Sequence, residues 1–130
     1  VIRGGTTFLL LALSTSLIGA QTEKQQEPPE EDEILRPKEY SFNPLQATKE
    51  LKIGDFYSKK GNHRAASMRY LEATRWNPTL AEAFLKLGQA REKLKDDTGA
   101  KEAYEKYLTL APDAKEAGSI RKKLNADPKR

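Results

Sequence analysis

The 130-residue sequence contains no cysteine. That absence excludes disulfides, thiol nucleophiles, cysteine-ligated zinc and lipid attachment through an N-terminal cysteine, so the fold must be held by packing alone. Histidine is nearly as scarce. His63, in the turn region between two helical stretches, is the only one, and with no second histidine or paired carboxylates at ligand spacing it makes no metal site. A glycine-rich phosphate loop, a nucleophile elbow and a metalloprotease motif are all missing. Asp96-Asp97 has the form of a helix cap and not of a calcium loop. No catalytic residue, metal or cofactor is expected, and the chain is not expected to be an enzyme.

A long hydrophobic run is also lacking. The nearest approach is Phe8-Leu9-Leu10-Leu11-Ala12-Leu13, carried on through Ser and Thr to Leu17-Ile18-Gly19-Ala20 and preceded by Arg3. A membrane-crossing helix needs about 20 apolar residues, whereas a positive start, a shorter apolar stretch and a small-residue end make a secretory signal. Residues 1–20 are therefore expected to be a signal peptide cut after Ala20, which makes the protein exported, either periplasmic or secreted. The alternative is an uncleaved signal that anchors the chain in the inner membrane through the Phe8–Ile18 region. A membrane partner is expected only in that case.

Charge is unevenly placed. Net charge is +4, but Gln21 to Tyr40 holds seven acids against three bases, a balance of −4. With Arg3 supplying one positive charge, residues 41–130 are left with +7. The stretch around Gln25-Gln26-Glu27-Pro28-Pro29-Glu30-Glu31-Asp32-Glu33 has almost no apolar side chains to offset its ordering entropy. Residues 21–42 are expected to be a disordered acidic, Pro/Gln-rich tether. The basic body either favours acidic partners or simply solvates helix faces with lysine and arginine.

Beyond the tether the pattern becomes helical. Asn43-Pro44 reads as an N-cap followed by proline at the first helical position. Leu45, Leu51, Ile53, Phe56 and Tyr57 then recur at helical spacing. Gly61 interrupts, a second helix carries Ala65, Ala66, Tyr70, Leu71 and Ala73, and Asn77-Pro78 stops it. The layout returns 34 residues later: Ile53-Gly54 maps onto Leu87-Gly88, Ala66 onto Ala100, Tyr70 onto Tyr104 and Pro78 onto Pro112.

A 34-residue period with these markers resembles the tetratricopeptide repeat family. The first unit, 47–80, carries Ile53, Gly54, Tyr57, Ala66, Tyr70, Ala73 and Pro78 at the family's marker positions, with Glu50 in place of an aromatic. The second, 81–114, carries Phe84, Leu87, Gly88, Ala100, Tyr104 and Pro112, with Arg91 and Tyr107 where Tyr and Ala are usual. The resemblance implies an all-α fold, a short α-solenoid of two helical hairpins, in which Gly54, Gly88, Ala66 and Ala100 permit close helix approach and Tyr70 and Tyr104 fill the wedge between hairpins. Trp76, whose counterpart is Leu110, is expected in the inter-repeat core. Asp113 is expected to cap a fifth helix over 113–125, with Ala114, Ala117, Ile120 and Leu124 on one face, which solvates the second hairpin. The domain then spans 43–125, and 126–130 is a disordered tail.

The same resemblance implies a concave partner-binding groove lined by the first helix of each hairpin. Its inward positions fall on Thr48, Leu51, Asp55, Ser58 and Lys59, and on Glu82, Leu85, Gln89, Glu92 and Lys93. Leu51 and Asp55 stand where chaperone-binding members carry a Lys and an Asn of a carboxylate clamp, so that clamp is absent. Two leucines flanked by mixed charge would suit a peptide or helix with apolar anchors. The segment from Glu50 to Tyr57 with Gly61 to Tyr70 is similar to the first repeat of the tetratricopeptide lipoproteins of the outer-membrane β-barrel assembly machine, although no cysteine is present to carry their lipid. The implied role is a protein-binding adaptor or scaffold of the cell envelope, with a protein or peptide partner. The alternatives are a membrane-anchored structural module and a self-associating assembly factor, since two hairpins and a cap fall short of the about three units a repeat array usually needs. Because the aromatics sit at repeat positions and the leader points out of the cytoplasm, no nucleic acid partner is expected.

Overall fold

The computed structural model describes residues 39–126. The signal peptide expected over 1–20, most of the tether expected over 21–42, and residues 127–130 lie outside the described residues. Five helices follow in order: α1 (Pro44–Lys59), α2 (His63–Trp76), α3 (Ala81–Lys93), α4 (Asp97–Leu110) and α5 (Ala117–Asn125). Helices α1 and α2 form one antiparallel hairpin and α3 and α4 the next, with α2 packed on α3 and α5 closing over α4. Among the described residues there is no strand, and no helix is long and apolar enough to cross a membrane.

The helix ends follow local chemistry. The Asn43 side chain accepts from Gln46 N–H at 3.0 Å, with Pro44 at the first helical position. Asn62 and its repeat counterpart Asp96 do the same for Ala65 N–H and Gly99 N–H, each satisfying an amide the helix leaves unpaired. Both hairpin turns close with the same pair of backbone bonds. Gly61 N–H reaches Ser58 and Asn62 N–H reaches Tyr57, while Lys95 N–H reaches Glu92 and Asp96 N–H reaches Arg91. This turn requires a left-handed residue, and the positions are Gly61 (φ 77) and Lys95 (φ 63). Glycine meets that requirement without strain; lysine adopts it against its Cβ.

The expected close approach is present in each hairpin. A Cβ on Gly54 would stand 2.4 Å from the Tyr70 ring, and one on Gly88 would stand 2.5 Å from the Tyr104 ring. Leu51, Ala66, Tyr70, Ala73, Ala83, Leu87 and Ala90 form one core cluster across both hairpins, so Tyr70 fills the wedge between them. Tyr104, Tyr107, Ala100 and Ile120 form a second cluster that joins the second hairpin to α5.

The departures from the repeat pattern are each compensated. Glu50 is buried with Arg69, Oε2 to Nη1 3.0 Å, and Gln46 Nε2 donates to the other oxygen at 2.8 Å. In the second unit the same two positions are Phe84 and Ala103. Arg91 donates to the Gly99 carbonyl at 3.0 Å, and Tyr107 is buried beneath α5.

Three expectations need correction. The fifth helix begins at Ala117 and not at Asp113, because two successive turns, Ala114 N–H to Ala111 O and Ala117 N–H to Ala114 O, first carry the chain across the core. Tyr40, inside the expected tether, is already packed against the first hairpin. Its hydroxyl donates to Glu72 Oε1 at 2.5 Å, and Asn43 N–H donates to the Trp76 carbonyl at 2.9 Å. Trp76 packs edge-on against Tyr40, ring centroids 5.0 Å apart, and so faces this leading segment. It is not a member of the inter-repeat core, because Tyr40 covers the end of α2 before the next hairpin begins.

Candidate functional site

The ten residues expected to line the groove separate into three groups. Leu51 is buried, 7% exposed, inside the core cluster with Tyr70 and Leu87, so it does not present an apolar anchor. Leu85 is half-buried and packs against the second core cluster. The leucine pair that the family resemblance placed on the groove wall therefore serves packing. Thr48, Lys59 and Glu82 are exposed; Thr48 Oγ1 donates back to the Pro44 carbonyl at 2.9 Å.

The remaining five converge where α1 and α3 meet. Ser58, Gln89, Glu92 and Lys93 line one cavity of about 250 Å³ with Tyr70 and Ala90, and Asp55 bonds two of its lining residues, Tyr70 and Lys86. Two further lining residues were not among those expected. Lys86 donates to both Asp55 oxygens at 2.7 and 2.8 Å, and pairs with Glu82 at 3.3 Å. His63, the first residue of α2, is half-buried at the cavity edge. The Glu82–Lys86 spacing of four residues was a signal for a helix-face pair. Nothing local links Asp55 to Lys86, which only the packing of two hairpins brings together.

Electrostatics in this cavity centre on Asp55. Burial, and then the hydrogen bond to Asp55, hold the Tyr70 phenol well above its ordinary range, so it remains a donor. For Lys86, burial opposes the charge but is outweighed by its bonds to Asp55 and Glu82, and its pKa is raised. A second cavity of about 210 Å³ lies one repeat further on, between α3, α4 and α5. There Tyr104 donates to Glu92 at 2.7 Å and Lys123 pairs with the same carboxylate at 2.8 Å. The tyrosines are in register, but the acid and the lysine have each moved three residues, one helical turn. The same tyrosine–acid–lysine bridge thus joins hairpin to hairpin and hairpin to cap.

What these walls offer a ligand is hydroxyl, amide, ammonium and carboxylate groups around a shallow cleft, with the stacked hairpins behind them. Two family models described as tetratricopeptide repeat match the chain, over residues 51–80 and 82–114. The chain belongs to the tetratricopeptide repeat family. No curated protein matches it. The matched segments divide between Leu80 and Glu82, where the hairpins meet, so the boundary between the tetratricopeptide units is the boundary between the hairpins. Such repeats mediate protein–protein interaction, and their proteins are typically non-catalytic adaptors. That makes this tetratricopeptide chain a protein-interaction scaffold.

Proposed function

We propose that the protein is an exported, non-catalytic adaptor of the cell envelope that binds a peptide or helical segment of a partner along the concave face of α1 and α3. The observation that carries this is the clustering of Ser58, Gln89, Glu92 and Lys93 around one cleft at the junction of the hairpins. Because Leu51 and Leu85 are engaged in packing, recognition there rests on polar and charged groups. Gln89 and Ser58 are suited to peptide amides and carbonyls, and Lys93 to a ligand carboxylate. The leader at 1–20 and the similarity of the first repeat to that of envelope assembly lipoproteins support the envelope location.

The test is capture from envelope extract by the purified chain, beside a Gln89→Arg/Lys93→Glu variant. Both positions are exposed, so the fold is expected to survive, with circular dichroism as the check. A partner held by the parent and lost by the variant supports groove binding; equal capture by both overturns it. A second possibility, a structural module anchored by its uncleaved leader, is favoured only by the Phe8–Ile18 stretch. Fractionation separates the two, because an anchored module sediments with membranes and retains its N-terminus.

A further inference from the structure

The fully exposed ionisable side chains of the first hairpin are all cationic: Lys49, Lys52, Lys59, Lys60, Arg64 and Arg75. Two of its three acids are buried, Glu50 with Arg69 and Glu72 with Arg75 and Tyr40, and the third, the half-buried Asp55, is paired with Lys86. The second hairpin exposes five acids, Glu82, Asp96, Asp97, Glu102 and Glu105, beside Lys93, Lys95 and Lys106.

Part of that cationic surface is a continuous stripe. Leu45, Lys49, Lys52, Phe56 and Lys60 are spaced four, three, four and four residues apart, so they share one face of α1. Leu45 is 85% exposed and the preceding Phe42 69%; the Lys60 ammonium sits 4.6 Å from the centre of the Phe56 ring. In α3 the residues equivalent to Lys49 and Phe56 are Ala83 and Ala90, both buried in the core that joins the two hairpins. With a lysine and a phenylalanine in their place, the leading face of α1 is not shaped for another hairpin at close range. It suits an acidic segment with a small apolar part.

Such a segment stands immediately upstream in the same chain. Tyr40 and Asn43 fix the point of entry beside the first turn of α1. Read backwards from there, the sequence gives a connection of Glu39, Lys38, Pro37 and Arg36, then Leu35 and Ile34, then Glu33, Asp32, Glu31 and Glu30. Read away from the same point, the chain gives Phe42 before α1, Leu45, Lys49 and Lys52 along it, and Lys60 at its C-cap. Beyond that four-residue connection, both run from apolar to charged, with opposite sign. From Glu39 back to Glu27 the extended chain covers about 40 Å, and Leu45 to Lys60 is about 22 Å of helix, so the reach is ample.

We propose that the leading face of α1 is the docking surface for the chain's own acidic stretch, residues 27–35. The stretch runs antiparallel to the helix, with Ile34 and Leu35 against Phe42 and Leu45 and the carboxylates on Lys49, Lys52 and Lys60. The short connection to Tyr40 holds the two at high effective concentration, so a weak, salt-screened contact is populated without strong affinity. This surface is separate from the concave cleft, and its occupant does not depend on what the cleft binds.

The experiment is carbodiimide coupling of carboxylates to lysines in the purified chain as its cells produce it, at low protein concentration, with the links mapped by mass spectrometry. Intramolecular links from residues 27–33 to Lys49, Lys52 or Lys60 are expected, at several times the yield of links to Lys93, Lys106 or Lys122. They should fall severalfold near 0.5 M salt, where screening lengths shrink to roughly 4 Å. Even yields across all lysines, or α1 links found only in coupled dimers, would overturn the proposal. As a second measurement, Glu30→Gln/Glu31→Gln/Asp32→Asn/Glu33→Gln should shift the amide resonances of Lys49, Lys52 and Phe56, and unmoved resonances contradict it. Lys49→Glu/Lys52→Glu should abolish the links, and adding Glu31→Lys/Asp32→Lys should restore coupling with the charges exchanged; failure to restore also counts against it.

Discussion

The two hairpins are built on one 34-residue template yet solve the same positions with different chemistry. Where the first buries an ion pair, Glu50 with Arg69, the second has Phe84 and Ala103. Where the first turns on Gly61, the second turns on Lys95 at φ 63. Where the first buries Glu72 beneath Tyr40, the second leaves Lys106 exposed. The conserved part is steric: Gly54 under Tyr70 and Gly88 under Tyr104, with Ala66 and Ala100 opposite. The repeat fixes where small and large side chains must go, because close-packed helices tolerate little volume change. It does not fix how the remaining volume is filled, provided every buried charge finds a partner.

The largest effect should come from breaking the buried pair. Glu50→Ala or Arg69→Ala strands a charge and should cost about 3–5 kcal/mol in urea melts followed by circular dichroism. Installing the second hairpin's residues together, Glu50→Phe with Arg69→Ala, should be neutral or stabilising, because an apolar pair needs no desolvation compensation. If the double variant were as unstable as either single one, the hairpins would not be interchangeable at this position.

Next in size is the steric match shared by both. Gly54→Ala and Gly88→Ala each force a methyl into a buried tyrosine ring and should cost roughly 1–3 kcal/mol, despite alanine's better helix propensity. Equal costs in the two hairpins would show the template acting alike in both. Tyr40→Phe tests what only the first hairpin has. Removing the hydroxyl from Glu72 should cost about 1.5–3 kcal/mol, and it should change the emission of Trp76, the only tryptophan, whose ring lies against Tyr40.

The turns give a smaller, opposite pair. Lys95→Gly should stabilise by roughly 0.5–1 kcal/mol by relieving left-handed backbone strain, and Gly61→Lys should destabilise by about 1 kcal/mol. The smallest effect is on pH dependence. For Glu92, burial raises the pKa, but the bonds from Lys123 and Tyr104 outweigh it and the folded value is lowered. Its contribution is full above the ordinary glutamate value and is lost as pH falls through the lower folded one. For Lys86, the raised value means a contribution present below the ordinary lysine value and lost as pH rises through the folded one. Both pairs are partly exposed, so each should amount to well under about 1 kcal/mol. Glu92→Gln should flatten the acid limb and Lys86→Met the alkaline limb in melts across pH.

Much of the fold was legible because its signals are local or periodic. Asn43-Pro44, Asn77-Pro78 and Asp96 mark helix ends through local chemistry within a few residues, and the 34-residue return of Gly and Tyr gives hairpin pairing directly. The candidate site was less legible. The family resemblance put Leu51 on the groove wall, whereas the stacking of the second hairpin on the first takes it into the core. Lys86 was overlooked because its partner Asp55 lies on another helix, and His63 because only the packing of α2 beside α3 brings it to the cavity.

The sequence by itself determined the number of hairpins, their registration, the turns and the sign of charge on each part, since all of these follow from residue type and spacing. Only the tertiary structure decided that Glu50 meets Arg69, that Lys86 meets Asp55 while Lys123 meets Glu92 one turn further along, and that Tyr40 closes over Trp76 and Glu72. Such pairings depend on the rotation and offset of one helix against another, set by how whole side chains interlock and not by any one segment's own preference.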